Sequence, residues 1–96
     1  MTTEFIPLTT PGDDLHEILN DQGITAYALA KAIGKASIQV TRIVNGKQRI
    51  TPDMSILIGA ALDMSPGYWL RMQMDYDLRL AQQRAHTQVV PIIATG

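Results

Sequence analysis

The sequence predicts an all-α domain: five short helices with an extended N-terminal arm and a short β-prone C-terminal tail. Three observations carry that expectation. Apolar residues recur at three- and four-residue spacing over residues 12–84. The periodic stretches are bounded by helix punctuation, namely Gly23, Gly34, Asn45-Gly46, Thr51-Pro52 and Ser65-Pro66. The β-prone residues Val89, Val90, Ile92 and Ile93 gather in the tail, where Pro91 bars a central strand position. At 96 residues, with 46% apolar and 18% charged side chains, the chain can build one modest core and is not globally disordered.

In order along the chain, residues 1–11 form the arm. It is rich in threonine and proline around Phe5, Ile6 and Leu8, and is expected to tuck an apolar residue against the body. Pro11-Gly12-Asp13-Asp14 opens the first helix, with carboxylates where the positive end of the helix dipole favours them. Leu15, Ile18 and Leu19 share its inner face, and Gly23 stops it. Thr25 is the expected N-cap of a second helix over about 25–33, with Ala28, Leu29, Ala32 and Ile33 inward. Gly34 turns the chain into a third helix over about 36–45, which buries Val40, Ile43 and Val44 and leaves through Asn45-Gly46. Thr51-Pro52-Asp53 starts a fourth helix and Ser65-Pro66 repeats the signal for a fifth, which Asp75 to Arg84 extend or follow. Residues 12–84 are therefore expected to form one helix-turn-helix domain, followed by a tail over 85–96.

Charge is unevenly placed. No acidic residue occurs between Gln22 and Pro52, yet that segment holds Lys31, Lys35, Arg42, Lys47 and Arg49. The rest of the chain carries all nine carboxylates against three arginines, within a net charge of −1. A basic helix-turn-helix on an otherwise acidic molecule is what a DNA reader needs. Ser37, Ile38 and Gln39 fall in the first turn of the third helix, the part that reaches base edges, and Arg42 lies one turn beyond Ile38. Glutamine can pair with adenine and arginine with guanine through two hydrogen bonds, while isoleucine can pack on a thymine methyl. Lys35, Thr41, Asn45 and Lys47 are placed for phosphate, which positions a protein without reading sequence.

The run Pro11-Gly12-Asp13, ALAKAIG, RIVNGKQRIT and YWLRMQMDYDL resembles the HigA/VapI branch of Cro/C1 (lambda repressor-like, XRE) helix-turn-helix proteins. The block Pro66-x-Tyr68-Trp69-Leu70, with Gln73 and Tyr76-Asp77-Leu78, is the part most specific to that branch. The resemblance implies a five-helix, dimeric, cytoplasmic repressor that is the antitoxin of a type II toxin–antitoxin pair. It would neutralise a HigB-like mRNA-interferase toxin and bind the operator DNA of their shared operon. Ser37, Ile38, Gln39 and Arg42 would contact the operator, supported by Thr41, Asn45 and Lys47. Two positions depart from the family pattern: Ala26 stands where a glutamine usually braces a phosphate, and Ala36 where a serine or threonine usually caps the third helix, leaving Ser37 as substitute.

Two other readings fit part of the chain: a stand-alone or phage-derived repressor without a toxin, and an interaction module without DNA binding. Other chemistry finds no support. Without cysteine there is neither a disulfide nor a thiolate zinc site, and His16 and His86 are too isolated for a metal pair. No phosphate-binding glycine loop, catalytic triad or HExxH pattern is present, so neither an enzyme nor a cofactor is expected. No apolar run spans a membrane, and MTTEFIPLTT is no secretion leader. Trp69, Tyr68 and Tyr76 are expected to fill the core or a dimer interface, and Asp75 and Asp77 to be surface charges. The apolar tail from Val89 to Ile93 could pack on its own bundle, pair across a dimer, or order against a partner.

Overall fold

Five helices follow one another in the computed structural model, which describes residues 8–84 and 88–93. They are α1 (Pro11–Gln22), α2 (Ala26–Ile33), α3 (Ser37–Val44), α4 (Pro52–Ala61) and α5 (Tyr68–Gln83), with no strand among the described residues. Phe5, Ile6 and His86 lie outside that range. Leu8 is half-buried beside Pro11, Met72 and Tyr76. Residues 88–93 have no regular structure, and Val89, Val90, Ile92 and Ile93 are exposed.

Local chemistry explains most helix boundaries. Thr10 caps α1 in a reciprocal box, its hydroxyl accepting from Asp13 N while the Asp13 carboxylate accepts from Thr10 N. Thr25 and Thr51 cap α2 and α4 by accepting from Ala28 N and Met54 N. Between α2 and α3, Gly34 adopts φ 71°, and the following Lys35 N–H returns to Ala30 O at 2.9 Å. That left-handed exit favours glycine because a side chain there would crowd the following carbonyl.

The fifth helix begins differently from the sequence signal. Ser65, Pro66 and Gly67 form a turn, the helix starts at Tyr68, and its N-cap Gly67 makes no side-chain cap. A buried serine on α4 supplies the cap from outside: Ser55 Oγ donates to Pro66 O at 2.6 Å and accepts from Leu70 N at 2.9 Å. Ser65, the expected cap, instead accepts from Arg71 Nη2. Residues 75–83 extend α5.

The core joins Leu15 and Leu19 of α1, Leu29, Ala30 and Ile33 of α2, Val40 and Ile43 of α3, Ile50, Met54, Ile58 and Trp69. Trp69 is fully buried, as a core aromatic, and lies edge-on to Tyr68 with ring centroids 5.0 Å apart. In α2 the inner face is Ala26, Leu29, Ala30 and Ile33, whereas Ala28 and Ala32 are exposed. Alanine at every second position of this helix makes its apolar pattern degenerate, and only the larger Leu29 and Ile33 fix the phase. Against α3 the first turn of α1 comes so close that a Cβ on Gly12 would lie 1.8 Å from Ile43 O. No helix among the described residues is long and apolar enough to cross a membrane.

Candidate nucleic-acid interface

Helix α3 turns through about 100° per residue, so burial of Val40 and Ile43 leaves one continuous outer stripe. Ser37, Ile38, Thr41, Arg42 and Asn45 occupy it, and all five are exposed. Ile38 is 55% exposed, although nothing polar holds it in water. Gln39 sits at the stripe's edge beside the buried face and is half-buried, the least open of the eight predicted contact residues. Lys35 stands exposed in the turn before the stripe, and Lys47 stands exposed just after it.

No side chain caps α3. Ala36 is its N-cap and Ser37 its first helical residue, so Ser37 does not act as substitute cap. The N–H of Gln39 instead bonds back to Ala36 O at 3.0 Å. The C-terminal exit is held by the backbone, with Gly46 N to Ile43 O at 3.0 Å and Lys47 N to Arg42 O at 2.8 Å. On α2, Tyr27 and Lys31 are exposed one turn apart. Thr25, Ala26 and Thr41 line a cleft of about 430 Å³ with His16 and Asn20 of α1, which share a 3.2 Å hydrogen bond.

The electrostatics sharpen the charge pattern of the sequence. Among the described residues, Lys31, Lys35, Arg42 and Lys47 pair with no carboxylate, while Arg49 pairs with Asp77. The sequence pattern marks both Asp75 and Asp77 as surface charges. Asp75 is one, pairing with Arg79 a turn along an exposed face. Asp77 is instead part of a buried-edge network. Gln73, 4% exposed, accepts from Ile50 N through Oε1 at 2.9 Å and donates through Nε2 to Asp77 Oδ1 at 3.0 Å. Asp77 Oδ2 receives the Arg49 guanidinium. Partners 23 and 28 residues apart leave no local spacing signal, so the sequence reading marks Gln73 and Asp77 by resemblance and Arg49 by charge but does not bring them together. No cluster of metal-ligating residues occurs among the described residues.

Comparison with known proteins fits this architecture. The helix-turn-helix family model HTH_3 matches residues 15–69. Virulence-associated protein I of Dichelobacter nodosus is 34% identical over 81% of this chain and 73% of its own length. Antitoxin HigA-1 of Vibrio cholerae is 39% identical over 65% of this chain and 58% of its own. The solved structure of Pseudomonas aeruginosa antitoxin HigA with the higBA promoter superposes with a TM-score of 0.73 at 34% identity, covering 76% of this chain and 80% of that one. Two of these relatives are antitoxins and one is a virulence-associated protein. An all-α bundle whose second motif helix is exposed on one face and flanked by unpaired cations, matched over more than half its length, thus belongs to the Cro/C1-type helix-turn-helix family and is kin to the HigA antitoxins.

Proposed function

We propose that this protein is a homodimeric operator-binding repressor and the antitoxin of a type II pair, neutralising a HigB-like mRNA-interferase toxin and repressing their shared operon. The observation that carries the DNA-binding reading is the α3 stripe: an exposed isoleucine and an unpaired arginine on a helix flanked by three further unpaired cations, Lys31, Lys35 and Lys47. Ser37, Ile38 and Arg42 would face base edges, with Gln39 reaching from the edge of the stripe. Lys35, Thr41, Asn45 and Lys47 would hold phosphates on either side. The promoter complex of the Pseudomonas HigA, a chain of the same fold, supports the assignment of DNA as ligand.

The dimer reading rests on Ile56 of α4 and on Met74 and Leu78 of α5, apolar side chains 52%, 60% and 58% exposed on two helices that pack together. Two copies would set their recognition helices about 34 Å apart on successive major-groove faces.

The test is a gel shift of the purified protein on its own promoter, with co-purification of the neighbouring gene's product. A shifted promoter and a co-purified small partner are expected. A shift without any partner would favour a stand-alone repressor, and a partner without a shift would favour the interaction module.

A further inference from the structure

We propose that Gln73 and Asp77 of α5 are positioning residues for DNA binding: they clamp the α3–α4 connection so that Lys47 meets the DNA backbone. The inference rests on the phosphate role proposed for Lys47. The connection has two anchors. At its start, Gly46 N and Lys47 N bond to the last carbonyls of α3. At its end, Ile50 N bonds to the buried Gln73 Oε1, and Arg49 pairs with Asp77. Only Gln48 lies between the two anchors, so the direction in which the Lys47 side chain leaves the first is set by how the second holds Arg49 and Ile50. Gln73 Nε2 in turn holds Asp77, so one amide and one carboxylate organise both ends of the second anchor. A glutamine that spans a loop N–H and a carboxylate with its two ends has no freedom to rotate without orphaning a buried group.

The arrangement has an electrostatic signature opposite to that of an ordinary surface acid. Asp77 lies beside a basic segment and takes up the charge of Arg49. If it were only a surface charge, deleting it would free Arg49 and strengthen DNA binding. As a clamp member, its deletion weakens binding although a negative charge has been removed.

The experiment measures binding of wild type, Asp77→Ala, Lys47→Ala and the double variant by fluorescence anisotropy over a KCl series. The probes are a duplex from the protein's own promoter and a random-sequence duplex of equal length. Asp77→Ala is expected to weaken both by about fivefold, roughly one phosphate contact, and to flatten the salt slope by about one unit. In the Lys47→Ala background the same change is expected to alter binding by less than about twofold, because the group it positions is gone. A global loss of stability would instead weaken both backgrounds alike. Tighter or unchanged binding by Asp77→Ala overturns the clamp, as does additivity of the two substitutions. If Lys47→Ala leaves both duplexes unaffected, the phosphate role of Lys47 falls and the clamp falls with it. If that variant weakens binding and Asp77→Ala does not, the clamp alone falls. Should Asp77→Ala melt below the assay temperature, Asp77→Asn carries the test, because it keeps an oxygen for Gln73 Nε2 but no charge for Arg49.

Discussion

At the scale of single residues, exposure separates side chains that sequence alone treats alike. Arg42 stands on the outer stripe and Gln39 at its edge, so their truncations should differ in kind. Arg42→Ala is expected to lose ~1–3 kcal/mol on the operator and to relax preference at one base position, measured by selection from a randomised duplex pool. An unchanged preference would move Arg42 to the phosphates. Gln39→Ala should give the smaller loss of the two. Asp14 offers a test unrelated to DNA. Burial first, and the neighbouring Asp13 charge second, raise its carboxyl above the usual value. Folding therefore favours the protonated form, and the stability that protonation contributes is lost as pH rises through the folded value. Asp14→Asn should accordingly gain stability at neutral pH and match wild type in acid, as read from urea melts at both pH values. The outer stripe that holds most of the proposed contact residues was legible because exposed polar and apolar side chains on a short helix follow from burying Val40 and Ile43. Gln73 and Asp77 were not, since their roles depend on Ile50 and Arg49, which only the fold brings near.

At the scale of elements, the boundaries set by local capping were readable and those set by tertiary contacts were not. Thr25, Thr51, Gly23 and Gly34 act within one turn of themselves, so the sequence places them. The start of α5 depends on Ser55 of another helix, and the start of α3 has no cap to read. That vacancy is a site for stabilisation: Ala36→Ser should add ~0.5–2 kcal/mol by accepting one of the first N–H groups of α3, measured by chemical denaturation. No gain would mean those donors are already satisfied. The junction of α1 and α3 predicts the opposite sign. Gly12→Ala puts a methyl within 1.8 Å of Ile43 O, a backbone atom with no room to yield, so α1 must move away from α3. We expect a loss above ~3 kcal/mol, as for severe overpacking, and a markedly lower Tm in a thermal melt.

At the scale of the whole molecule, the proposed dimer makes a clear demand on α5. Met74→Asp with Leu78→Asp should leave the fold intact, because both side chains are more than half exposed. The pair should shift sedimentation from dimer to monomer and weaken operator binding far more than binding to random DNA. A variant that remains dimeric would place the interface elsewhere. The surface proposed for the dimer was not legible in the chain, which shows no heptad repeat, and the exposed stripe emerges only once α5 has turned Trp69 and Gln73 inward. Those inward contacts also have a metrical consequence. Ser55 ties the first turn of α5 to α4, and Gln73 ties its second turn to the connection leaving α3. With both bonds made, α5 can neither slide by a turn nor roll about its axis relative to α3. Any surface that joined two copies, as proposed, would therefore stand at a fixed distance and angle from α3. In the proposed dimer the permitted gap between operator half-sites would then be a length gauged by one buried serine and one buried glutamine.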